Sequence, residues 1–349
     1  MKQAILVAMF FLHSFLSFGQ NAKATALLNE GVALHDQGKY TEAIDKYKAS
    51  YQLDSNNVAL YSEMAMTYSA LKDFENAGTI CEKAIARFPG SPTLKMIYSN
   101  YGNSLVERQK PEEAIKIFDE AIRKYPDYYM LPFNKGITEY HLKKPYAARA
   151  CFEDAIKLNP KHASSWYYLG VVEDAFGNRI PAVLDFSRFL ILEPKGPRAD
   201  QILPFLTRKV NGLYYLEKKG EETFTYNSAA KRTDTSANGF VEAESGLKAY
   251  VELSATPSLS NRTQTELDKF EALSSVIFES LEECRKSNQG FYGDFLIPYF
   301  IELDQKQHTR AFTYFINHYE TKNQDVANWP DKNEPAMNAF IAWDKNYHW

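Results

Sequence analysis

Alanine recurs at Ala43, Ala77, Ala114, Ala148 and Ala182, in steps of 34, 37, 34 and 34 residues, and each copy brings the same neighbours. Four residues after each alanine stands Tyr47, Cys81, Phe118, Phe152 or Phe186. Three further on comes Ser50, Ala84, Ala121, Ala155 or Phe189, and five beyond that Ser55, Pro89, Pro126, Pro160 or Pro194. Twelve before each alanine lies Gly31, Ala65, Gly102, Gly136 or Gly170. One three-residue insertion, near "FPGSP" (Phe88 to Pro92), interrupts an otherwise constant period.

Such a period holds two helices of about 14 residues each. Glycine or alanine in the first helix leaves no bulk where the second must cross. The alanine of the second helix fills the matching notch, and the aromatic four residues on lies on the same face. The proline ends the second helix, because it lacks an N–H and clashes with the preceding turn. A single pair cannot bury its apolar face, so the pairs must stack.

These residues resemble the tetratricopeptide repeat (TPR) family over residues 24–196, in five units: 24–57, 58–94, 95–128, 129–162 and 163–196. Departures are Ser55 in place of the first proline and Phe189 in place of a small residue in the last unit. The resemblance implies an all-α, right-handed superhelix. Its end is to be covered by an amphipathic capping helix, 197–211, that presents Ile202, Leu203, Phe205, Leu206 and Val210. The TPR domain so defined spans 20–211.

The resemblance also implies a concave groove that binds a peptide or a partner helix. Its lining would be Leu28, Val32 and His35, then Ser62, Met66 and Ser69, then Ser99, Asn103 and Val106, then Phe133, Ile137 and Tyr140, and last Tyr167, Val171 and Asp174. Leu28 and Val32 stand where some relatives clamp a C-terminal carboxylate with Lys and Asn, which argues against that ligand. Asn103, Phe133, Ile137, Tyr140 and Tyr167 are the expected partner-binding strip, since aromatic anchors dominate interfaces. The competing expectation is that this face packs on the chain's own C-terminal part.

Residues 212–240 are rich in Thr, Ser and Asn, without helical period, and read as a polar linker or hairpin. Residues 241–349 turn helical again, with candidate helices Glu242 to Ser254, Thr265 to Lys286 and Pro335 to about Tyr347. Gly290 and Gly293 read as a turn, and "NWPDKNEP" as a loop. The many aromatics here read as a helical core packed partly on the repeats, rather than as a sugar-stacking surface.

The N-terminus, "MKQAILVAMFFLHSFLSFGQ", has Lys2, an apolar run from Ala4 to Phe18, and Ser17 and Gly19 at the −3 and −1 positions of a cut before Gln20. It reads as a secretory signal peptide, residues 1–19, and an apolar run of this length is short of the roughly 20 residues that span a bilayer. Its "SFGQ" ending resembles exported proteins of Bacteroidota-type bacteria, and the expected location is the periplasm or outer cell surface. No Cys follows the run to carry a lipid anchor.

A formal charge of −4 with no basic run argues against a nucleic-acid partner. Three cysteines, Cys81, Cys151 and Cys284, make no disulfide framework or metal spacing. His308 and His318, with Glu320, share a face only loosely, and neither a nucleophile elbow nor a phosphate-binding glycine loop is present. No catalytic residue, cofactor or metal is expected. The reading is a non-enzymatic interaction scaffold of the cell envelope. An exported glycan- or nutrient-binding protein, or an enzyme with its site in the C-terminal helices, are the alternatives.

Overall fold

The structure is a computed structural model that describes residues 20–211, 239–254, 265–319 and 324–349. The expected signal peptide, nearly all of the polar linker and Glu320 therefore lie outside the described residues. Among those described the fold is all helical, with no strand.

Two compact units divide the chain, one ending at Lys144 and one spanning Pro145–Trp349. The first holds α1 (20–36), α2 (Tyr40–Leu53), α3 (Val58–Ala70), α4 (Phe74–Arg87), α5 (Leu94–Glu107), α6 (Pro111–Lys124) and α7 (Met130–His141). The second opens with α8 (Pro145–Leu158), α9 (Ala163–Phe176), α10 (Arg179–Leu192) and α11 (Pro197–Asn211). It continues with α12 (Val241–Ser254), α13 (Glu266–Ser287), a π-helical turn (Phe291–Leu296), α14 (Ile297–Gln305) and α15 (Thr309–Asn317). Two single turns, α16 (Gln324–Ala327) and α17 (Trp329–Lys332), and α18 (Glu334–Lys345) complete it.

The notch arithmetic holds at the atomic level. Ala43, Ala77, Ala114, Ala148 and Ala182 are all fully buried, as are Tyr47, Cys81, Phe118 and Phe152. A Cβ built on Gly31 would stand 2.4 Å from the Tyr47 ring, and on Gly102 2.3 Å from that of Phe118. The prolines fall where they should: α4, α6 and α10 stop at Arg87, Lys124 and Leu192, each two residues before Pro89, Pro126 or Pro194. Phe189, the large residue in a small position, is fully buried and receives the Arg198 guanidinium of α11 at 5.4 Å from its ring centre.

The compact units do not divide where the composition changes. The sequence suggests a repeat domain ending at 211, yet α8 to α11 fold together with the C-terminal helices. The reason is a shared core. Trp166 of α9 meets Phe291 and Trp349, each at 5.8 Å between ring centres. Arg188 of α10, with 0% of its surface exposed, donates to Tyr299 at 3.0 Å and pairs with Asp344 of α18. Its guanidinium also lies 4.8 Å from the Tyr299 ring centre. The aromatic C-terminal segment is thus a core packed on the last repeat, as its pattern suggests.

Two local expectations are corrected. Gly293 is no turn residue: it sits inside the π-helix, where a Cβ would fall 1.8 Å from the Asn288 carbonyl oxygen. Gly290, with φ +77°, precedes the π-helix in a backbone conformation that favours glycine. The stretch around Trp329 forms the helical turns α16 and α17 rather than an open loop.

Candidate functional site

In the first unit, successive first helices place a polar series on one face. Helix α3 contributes Met66 and Ser69, α5 contributes Asn100, Asn103 and Val106, and α7 contributes Asn134, Ile137 and His141. With His35 of α1 these residues line an open groove of about 500 Å³. His35, Met66, Ser69, Asn103, Val106 and Ile137 are groove positions that the repeat register anticipates.

The groove floor is fixed from beneath. Asn134 donates to Ser99 at 2.8 Å, and Thr138 donates to the Asn134 carbonyl at 2.9 Å. His35 Nδ1 lies 2.7 Å from the hydroxyl of Thr67, which is fully buried and so is a support rather than a nucleophile. Burial raises the Glu63 carboxyl above its ordinary range, opposed by the nearby His35. One donor is left over. Asn100 Nδ2 is buried, lines the groove and has no hydrogen-bond partner among the described residues.

Of the five residues expected to bind a partner, Asn103 and Ile137 line this groove. Phe133 and Tyr140 sit on the same helix, α7, half-buried, and are not part of its lining; Tyr140 instead sets its ring against His141 at 5.8 Å. Tyr167 belongs to the other compact unit, where its ring meets Phe189 at 5.4 Å and the Arg198 guanidinium also at 5.4 Å. Leu28, Ser62 and Ser99 are buried rather than lining, and Asp174 is paired with Lys209 of the capping helix.

Sequence reasoning missed Asn100 and Asn134. The signal was available: Asn100 and Asn103 stand three apart on α5, one helical face, and Asn134 and Ile137 repeat that spacing on α7. The wall is therefore more amide than aromatic, with Phe74 its single large ring. His308 and His318, weighed as metal ligands, are occupied otherwise. His308 lies 5.3 Å from the Trp343 ring, tilted by 44°, and His318 meets the Phe315 carbonyl and the Tyr319 ring. No helix of the described residues is long and apolar enough to cross a membrane.

Comparison with known proteins finds tetratricopeptide repeat models matching residues 56–127 and 144–178, and a TPR repeat model matching 31–72. Mouse RNA polymerase II-associated protein 3 is 32% identical over 133 residues, which cover 37% of this chain and 20% of that protein. The structure of Pseudomonas aeruginosa PilF covers 56% of this chain and 94% of its own, at 19% identity and a TM-score of 0.47. That of the first TPR domain of Spaghetti (RPAP3), bound to an HSP90 peptide, covers 35% and 95%, at 29% identity and a TM-score of 0.33. The chain spans about a fifth of the length of the first of these relatives.

Proposed function

With the premise that this chain is a tetratricopeptide-repeat protein, we propose that it is a non-enzymatic scaffold that holds an extended peptide segment of a protein partner in the groove of α1, α3, α5 and α7. TPR proteins mediate protein–protein interactions. The observation that carries the reading here is Asn100: a buried amide donor, unpartnered, facing an open groove. A buried donor left unmade costs about 1–3 kcal/mol, which a peptide carbonyl would recover. Asn103 and Asn134 offer further amides for a peptide backbone, and Met66, Val106 and Ile137 offer shallow apolar contacts.

The carboxylate-clamp class of ligand is not carried over, because Leu28 is buried and Val32 is apolar. The partner is accordingly recognised along an internal stretch rather than by its terminal carboxylate. The signal-like N-terminus supports an exported protein whose partner belongs to the cell envelope. N-terminal sequencing of envelope material tests the location: a chain beginning at Gln20 supports it, and a cytoplasmic chain beginning at Met1 refutes it. Selection from a library of linear peptides, with and without a free C-terminus, tests the binding mode. Ligands that require the free carboxylate would overturn it.

A further inference from the structure

A second cavity, of about 270 Å³, lies within the unit Pro145–Trp349. Its walls include Arg149, Glu153 and Glu173, with the rings of Phe240, Phe291 and Tyr292. Charge inside it does not cancel. Glu173 is ion-paired: Arg149 Nε lies 2.6 Å from its Oε1, while Arg149 Nη2 and the Asn178 amide donate to its Oε2 at 3.0 and 2.7 Å. That arrangement uses the Arg149 charge.

Two more carboxylates stand near, one in the cavity wall and one outside its lining. Glu153, on the helical turn after Arg149, lines the cavity with no hydrogen bond or ion pair among the described residues. Asp185 of α10 is 0% exposed. The Tyr292 hydroxyl donates to its Oδ2 at 2.8 Å, but its Oδ1 is buried without a partner. An acid so placed is costly unless something positive or protic meets it. Burial pushes the Glu153 carboxyl up to about 7 and drives that of Asp185 well above the carboxylate range.

We propose that this cavity binds a small organic cation, a primary ammonium on a short alkyl chain, with Glu153 as its counter-ion and the Phe240, Phe291 and Tyr292 rings as its walls. Aromatic faces attract cations, and Phe291 already has one near it: the Lys157 ammonium stands 5.9 Å from its ring centre. Lys157 itself is exposed and faces Asp154 at 3.7 Å. A metal ion fits less well, since no three His, Cys, Asp or Glu side chains are grouped to hold one among the described residues. The volume suits a ligand below drug size.

Calorimetry and thermal melting of the full chain with butylamine, and with 1-butanol as its neutral isostere, test the proposal. Butylamine should bind saturably at pH 8 and raise the melting temperature, and butanol should do neither. Glu153→Gln, which keeps shape and should fold at least as stably, should weaken butylamine at least tenfold. Binding should also weaken about tenfold between pH 8 and pH 6 as Glu153 takes up a proton. The charged and titratable groups around it are Arg149, Asp154 and Lys157 on α8, Glu173 on α9, Asp185 on α10 and Tyr292 of the π-helix. Equal binding of butanol, or unchanged affinity in Glu153→Gln, overturns the site. So does binding of a capped lysine peptide where butylamine fails, because the ammonium would then come from a protein. None of these readouts depends on the peptide groove.

Discussion

Gly102 and Phe118 stand so close that a Cβ on residue 102 would lie 2.3 Å from the ring. The same approach joins Gly31 to Tyr47 at 2.4 Å and Gly170 to Phe186 at 2.8 Å. In each case the ring occupies the space that a side chain would need, so the glycine is a packing requirement rather than a conformational one. Gly102→Val should cost about 1–3 kcal/mol by overpacking, despite valine's better helix propensity. Urea unfolding that shows no loss would contradict the notch.

This notch explains what was legible in the chain. The glycine and its ring lie within one helix pair, so their spacing survives in sequence as a fixed interval. The need for glycine at 293 comes instead from the Asn288 carbonyl approaching a π-helix, which no periodicity announces. The cover over the last repeat was equally hard to read. Arg188 and Tyr299 are 111 residues apart, and their pairing depends on how α14 and α18 pack. In the groove, Asn103 and Ile137 were legible from the register. Asn100 was legible only as the residue one turn before Asn103; that its amide lacks a partner appears only in the fold.

The cysteines report on the packing. All three are buried thiols. Burial pushes the Cys81 thiol up to about 12 and that of Cys284 to about 11, so both are thiols at neutral pH. A thiol reagent should label the native protein slowly and release three equivalents on denaturation. Rapid labelling of Cys81 in the native state would contradict the repeat register.

Arg188 is the polar centre of the second unit. Its truncation to Ala would leave Asp344 and the Tyr299 hydroxyl facing a void. Removing one partner of a buried pair costs about 3–5 kcal/mol. Arg188→Ala should lower the unfolding free energy by that amount and open α18 to protease. A change under about 1 kcal/mol would mean the pair is solvated.

Glu153 makes stability depend on pH. Its folded pKa, about 7, lies above the ordinary 4.5, so the folded state binds the proton more tightly. Its contribution is favourable below pH 4.5 and is lost as pH rises through 7. Glu153→Gln should therefore be more stable than the parent at pH 8, by about 1–3 kcal/mol, and equal to it near pH 4. A parent that is at least as stable as the variant at pH 8 would show that the carboxylate is compensated.

The most direct test of the account is the affinity of a library-selected linear peptide for the full chain and for Asn100→Ala with Asn103→Ala, measured by calorimetry beside Lys116→Ala on the exposed face of α6. The account predicts at least a tenfold loss for the groove variant, about 1.4 kcal/mol, with helix content unchanged and Lys116→Ala binding as the parent does. Parental affinity in the groove variant would contradict it and remove the groove as the binding surface.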